Sequence, residues 1–574
     1  MIFDEKKTDN QSELDRQDTH HNGEVVAFGQ QHNDHLHRSL SYRQIQLIAI
    51  GGSIGTSTFV SVGIGLARGG PGSLLIAFLF YSAILSCVNN CMAEMAVFMP
   101  VSSAFVRMAG RWVDEAFGFM AGWNFFLYQA IMIPYEITAI TLVLSYWRDD
   151  IPVASVVSAC VVLYLFVYPY QCKRNLLTQL NLINILAVQV YGEAEFWLAS
   201  GKVILLMILF SFTFVTMLGG NTDRDRFGFR YWNNPGSFAE YMTTGDLGRF
   251  EGFLGALWNT ALIIVGPEYV AMVAGEAKFP RPYMKSAFKA TYWRFLAFFV
   301  GSALCASIVI PYNDPALRNV VFGSSEKAGT AAASPFVIAM SNMRVGVLPH
   351  ITSALMITSI FSAGNAFTYC GSRTLYGLAL EGQAPAVLKC TKSGVPIYAL
   401  GVTMLFPLLA YLNVSSGSSS VLTWLINVIT SAQIIDYIVI SITYIFFYRA
   451  CKAQNIDRRS LHYYGYFQPY CGWIGAIVLS IIVCAYGYAV FLPGNWDVGT
   501  FFTSYAMVFL APVLYFGWKL VKRTSVIKAV DADLVWEKPM IDAYEAAFKE
   551  EPVGFWTEMT QMMGFKRQKA KHHA

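Results

Sequence analysis

Between residues 45 and 520 the chain alternates long apolar stretches with short polar connections. The stretches cover roughly 45–67, 73–99, 116–146, 153–171, 197–219 and 252–275, then 288–311, 346–368, 396–413, 421–448, 471–492 and 499–520. Each is close to the ~20 residues an α-helix needs to cross ~30 Å of hydrocarbon. The pattern predicts an all-α polytopic membrane protein with twelve transmembrane helices. Residues 1–44 form a polar amino-terminal tail, 45–520 the helical core and 521–574 a polar carboxy-terminal tail. No cleavable signal peptide opens the chain, because its first residues are polar and of mixed charge.

Composition narrows the class. Of 574 residues, 55% are apolar and only 14% charged, against ~25% charged in soluble chains. That excludes a soluble multidomain protein, a disordered chain and a nucleic-acid binder; a net charge of +4 implies no polyanionic partner. Basic residues gather in alternate connections: Arg107 and Arg111, Lys173 and Arg174, Lys278 to Lys289, Lys389 and Lys392, and Arg449 to Arg459. By the positive-inside rule these connections and both termini are cytoplasmic. The ten cysteines lie in or between apolar runs, without the His or carboxylate partners of a zinc site, and read as free thiols. The amino-terminal histidines (His20, His21, His32, His35, His37) read as a solvated tail rather than a metal site.

Two stretches are poor helix formers at membrane depth. Ile50-Gly51-Gly52-Ser53-Ile54-Gly55-Thr56-Ser57 places three glycines and three hydroxyl residues in the first span, each glycine weakening a helix by ~1 kcal/mol relative to alanine. A break there exposes amide N–H groups that attract an anion such as a carboxylate; close packing through small residues is the alternative. Val265-Gly266-Pro267-Glu268 interrupts the sixth span, since proline lacks the backbone donor and clashes with the preceding turn. Glu268 adds an ionisable group, and such groups within spans mark functional paths. Breaks five spans apart are what two inverted five-helix repeats produce.

Further motifs carry a family resemblance: IAIGGSIGTSTFVSVG, beginning at the Ile48-Ala49-Ile50 run, GGPGSLLIAF at 69–78 and MAEMAVFMPVSSAFVRMAGRWVDEAFGF from 92 to 119. YGEAEFWLASGKVIL at 191–205, GEAKFPR at 275–281, VIPYNDPAL, SPFVIAM and SAGNAFTYCGSRTLYGLALEGQAP follow in order. In these the chain resembles the fungal amino-acid permeases of the amino acid–polyamine–organocation superfamily. The resemblance implies twelve helices in a 5+5 inverted repeat plus two, and a proton-coupled symporter importing amino acids at the plasma membrane. It implies a substrate carboxylate on Ser53, Ile54, Gly55, Thr56 and Ser57 of the first span. The substrate amino group is implied to meet carbonyls near Leu262, Val265 and Gly266. Lys202, in Ala199-Ser200-Gly201-Lys202, matches the lysine that stands where sodium-coupled cousins hold a cation; the residues alone also allow a snorkelling lysine. Glu268 is the second proton-relay candidate.

Two positions depart from the family pattern. Ser57 stands where glycine is usual, and Gly266-Pro267-Glu268 where many relatives read Gly-Thr-Glu. Both resemble a branch with carnitine- and polyamine-associated members, so a carnitine or polyamine permease is an alternative, as is a nutrient sensor built on a transporter fold. Glu136, after Pro134 in the third span, reads either as a contact for a substrate cation or as a partner for a neighbouring helix. Asn124 and Asn365 read as interhelical hydrogen-bond formers, and Glu94 and Asp436 as structurally paired. Val535 to Phe548 forms an amphipathic stretch suited to a partner or the membrane surface. Residues 168–183 interrupt the family pattern, as a cytoplasmic excursion or an intron left in the gene model. No phosphate loop, zinc motif or nucleophile elbow appears, so no enzymatic activity, cofactor or metal is expected. Partners are the small-molecule substrate, protons and the lipid bilayer.

Overall fold

The computed structural model describes residues 38, 40–148, 150–167, 183–322, 334–391, 395–416, 418–492, 494–547 and 552–562. These form helices joined by loops, the longest of the fully described ones between Met217 and Gly245, with one isolated β-bridge between Leu40 and Ala277. The principal helices are α1 (Tyr42–Ser53), α2 (Val62–Phe98), α3 (Ala104–Trp112), α4 (Glu115–Leu144), α5 (Val153–Val167) and α6 (Ile183–Met217). Then come α7 (Gly245–Ile263), α8 (Pro267–Met272), α9 (Pro280–Arg294), α10 (Gly301–Val309), α11 (Pro335–Asn342) and α12 (Leu348–Leu380). The last are α13 (Ile397–Thr403), α14 (Ser418–Ala453), α15 (Tyr470–Ala485), α16 (Val498–Lys522), α17 (Lys538–Ala547) and α18 (Phe555–Met562).

Among the described residues nine helical stretches are long and apolar enough to cross a membrane. The expected fourth and ninth spans are shorter apolar helices, Val153–Tyr164 and Ile397–Leu412. The second half of the first span continues into the second span as one run, Ser57–Phe98. The two legs are divided at Gly70, whose φ of 77° is left-handed, with Pro71 after it. The reason is a docked loop: Gly72 N–H donates to the Ser237 carbonyl at 2.7 Å and Ala239 N–H to the Gly69 carbonyl at 3.0 Å. A Cβ on Gly70 would stand 2.8 Å from the Ala239 nitrogen. The Gly69-Gly70-Pro71-Gly72 motif is thus a turn that receives another loop.

The expected sixth span lies at the centre. Ninety-four per cent of the apolar window in Gly245–Glu276 is buried within the protein, against 22% in Val498–Lys522 at the periphery. On peripheral helices, apolar side chains such as Phe214, Val513 and Leu520 face outward, as a lipid surround requires.

Several helices outrun their apolar stretches. The helix carrying Lys202 begins at Ile183 rather than near 197, and α12 runs to Leu380 rather than 368. An apolar run ends at the first polar cluster, but α12 continues because the fold buries that cluster. On α12, Arg373 is buried against Glu276, with an N–O distance of 3.1 Å. The expected insertion at 168–183 lies outside the described residues except at its end, where α6 begins.

The carboxy-terminal segment folds back onto the helices, which decides what the Val535–Phe548 stretch packs against. Ile527 N–H donates to the Val113 carbonyl at 2.8 Å, and Trp112 Nε1 donates to the Asp533 carbonyl at 2.9 Å. Glu537 pairs with the buried Arg107 at 2.9 Å. Arg281 pairs with Asp542 at 2.6 Å and Glu545 at 2.9 Å. The Glu558 carboxylate accepts from the Tyr42 and Arg43 amides at 3.2 and 2.8 Å, capping the start of α1. Both described ends of the chain therefore lie on one face. The nine described cysteines are all free.

Candidate substrate site at two helix breaks

Helix α1 ends at Ser53. Ile54 is extended (φ −113°, ψ 101°), Gly55 is non-helical, and Thr56 returns to helical angles before a π-helical turn at Ser57–Ser61. The Ser53 hydroxyl turns back to the Ile50 carbonyl at 3.3 Å. The Thr56 hydroxyl donates instead to Glu136 Oε2 on α4. Glu136 Oε1 lies over Gly55, where a Cβ would come within 2.6 Å of it. Thus Gly55, Thr56 and Glu136 meet in one place, although the sequence left Glu136 between a substrate contact and a helix partner.

Lys202 Nζ donates to the Gly51 carbonyl at 2.5 Å. In an unbroken helix that carbonyl would take the Gly55 N–H; the break frees it for the ammonium. Lys202 is fully buried, so its ammonium is not snorkelling to a surface.

The second break spans Ile264 to Gly266, with Pro267 at the first position of α8. Glu268 folds back on this break: Oε2 accepts from the Gly266 N–H at 3.2 Å and Oε1 from the Tyr437 hydroxyl at 2.9 Å. Gln433 on α14 spans the freed carbonyls, its Nε2 donating to Ala261 at 2.9 Å and Ile264 at 3.4 Å. It takes Ala261 and Ile264 and leaves Leu262 and Val265, the carbonyls expected to meet a substrate amine. Glu268 and Lys202 thus bond to different breaks.

Tyr269 joins the two. Its ring lies against α1, where a Cβ on Gly52 would come within 2.6 Å of it, and its hydroxyl shares a hydrogen bond with Tyr128 of α4 at 3.1 Å. Sequence reasoning missed Tyr128, Tyr269, Gln433 and Tyr437. The one available signal was Tyr269's position directly after the Gly-Pro-Glu break. Every expected site residue is less than a tenth exposed, including Glu136, Lys202 and Glu268 at 1% or less. The second half of the first span is held too, with Ser334 Oγ donating to the Phe59 carbonyl at 2.9 Å and Asn259 to the Ser61 carbonyl. The site is occluded.

The remaining polar groups sort as structural. Asn124 Nδ2 donates to the Ala432 carbonyl at 2.8 Å and Asp436 Oδ1 at 2.9 Å, tying α4 to α14. Glu94 pairs with Arg458 at 2.6 Å. Asn365 is buried on α12.

The sequence profile of the amino acid permeases matches residues 44–529, which include both breaks and the helices around them. The chain belongs to the amino acid permease family. This permease is an amino acid transporter of the helical membrane class. It is 43% identical over 491 residues to the general amino acid permease AGP2 of Saccharomyces cerevisiae, covering 84% of this chain and 79% of that one. It is 36% identical over 526 residues to the dicarboxylic amino acid permease of the same organism, covering 91% and 83%. Among solved structures, a manganese transporter from Eremococcus coleocola overlays with a TM-score of 0.49 at 13% identity, covering 88% of this chain and 95% of that one.

Proposed function

We propose that this permease is a proton-coupled symporter that imports an amino acid at the plasma membrane by alternating access. In this reading twelve crossings leave both tails in the cytoplasm. The supporting observation is the buried Lys202 ammonium on the Gly51 carbonyl. A protonated Lys202 clamps the broken α1 through a charge-assisted hydrogen bond, and a neutral one weakens that clamp. The proton load is thereby tied to the geometry of the first break. The substrate carboxylate takes the amides and hydroxyls of residues 53–57, and its ammonium the Leu262 and Val265 carbonyls. Each charge-assisted bond contributes roughly 1.5–3 kcal/mol. The relatives, named as general and dicarboxylic amino acid permeases, do not favour a carnitine or polyamine cargo.

Uptake of a panel of radiolabelled amino acids at several external pH values, with and without a protonophore, tests the reading. Uptake should rise as external pH falls and collapse with the protonophore. Uptake insensitive to both would overturn the coupling, and a panel without a transported amino acid would overturn the transport assignment.

A further inference from the structure

We propose that in the substrate-free permease the Glu136 carboxylate occupies the anion seat at the first break, and that the substrate's carboxylate must displace it. The inference rests on the assignment of the substrate carboxylate to residues 53–57.

Three observations carry it. The Thr56 hydroxyl, one of the groups assigned to the substrate, already donates to Glu136 Oε2. The second oxygen, Oε1, lies over Gly55, at the point where the backbone is open because no Cβ stands there. That oxygen is fully buried and has no hydrogen-bond partner among the described residues. A carboxylate with one satisfied oxygen fits the seat's chemistry without satisfying it. A free amino acid can bring its carboxylate in at its own angle and use both oxygens.

This differs from the two roles the residue type suggests. A cation contact would hold the substrate's ammonium, so losing the charge would weaken binding. A helix bolt would influence stability and leave affinity unchanged. An internal occupant competes with substrate, so weakening it strengthens substrate binding. Glu136 is then a specificity device: solutes without a carboxylate cannot replace it on Thr56.

Two measurements on the detergent-purified full-length protein decide the matter. Glu136→Ala empties the seat, and sodium acetate is the probe. Acetate should raise the thermal unfolding midpoint of Glu136→Ala saturably above a sodium chloride control of equal ionic strength, and leave the wild type unmoved. No difference between acetate and chloride on the folded variant would overturn the proposal. Where Glu136→Ala does not fold, Glu136→Gln conserves volume and removes the charge. Its affinity for an amino acid that the wild type transports should tighten on the order of tenfold, and weakened or unchanged binding would overturn the proposal. The acetate arm needs no transported substrate, so failure of the transport reading is visible separately. A wild type that imports amino acids beside a Glu136→Gln variant that binds them more weakly leaves the transport reading standing and removes the seat.

Discussion

Two glycines near the proposed site look alike in sequence and differ in what surrounds them. A Cβ on Gly52 would meet the Tyr269 ring between 2.6 and 2.9 Å, whereas one on Gly201, beside Lys202, would meet nothing within 4 Å among the described residues. Overpacking a close contact costs about 1–3 kcal/mol, and alanine in place of an uncrowded helical glycine contributes about 0.5–1 kcal/mol. Gly52→Ala should therefore lower the thermal midpoint and uptake together, by roughly tenfold or more in uptake. Gly201→Ala should retain uptake within about twofold and melt no lower than wild type. Paired melting curves and uptake rates check this, and equal damage from both variants would contradict it. Lys202, Glu268 and Glu136 were legible in the sequence because a charge within an apolar run stands out. Gln433 and Tyr269 were not, since an amide or a ring within such a run reads as packing or an interfacial belt. Gln433 acquires its role from carbonyls of the second break, Ala261 standing 172 residues away and Ile264 169.

Helices obey the same division. Both breaks were readable, because Gly-Ser-Thr clusters and a Gly-Pro step weaken a helix wherever it sits. The extension of α12 was not, because it depends on what the fold buries. Helix ends also carry testable charge. Asp114 caps α4, accepting from the Ala116 N–H at 3.1 Å, and binds Lys519 of α16 at 2.6 Å. Burial pushes the Asp114 carboxyl up, but the Lys519 ammonium and the Ala116 amide outweigh it and hold it below the ordinary carboxylate value. A lowered folded-state value means the contribution is present above the unfolded value of about 3.9 and is lost as pH falls through the folded one. Asp114→Ala should cost about 1–2 kcal/mol at neutral pH, with the gap from wild type closing under acid conditions. Melting midpoints across pH measure this; a gap as wide at pH ~3 as at pH ~7 would contradict it.

For the molecule as a whole, the helical membrane class followed from apolar run length alone, since only helices and closed barrels satisfy the backbone in lipid. The docked tail did not. An amphipathic stretch states that it needs a surface but not which one, and here the surface is the end of the bundle. The tail joins the start of α1 through Glu558, the start of α9 through Arg281, and α3 through Arg107. The tail thus straps one face of the bundle, including the start of the broken α1. In the proposed alternating-access cycle this face opens with the broken α1, whose state Lys202 sets. Proton-dependent uptake by Lys202→Met, at matched surface expression, is the most direct measurement. Uptake should fall to background at every pH, with the protein still at the membrane. Uptake at the wild-type rate, still rising as external pH falls, would contradict it.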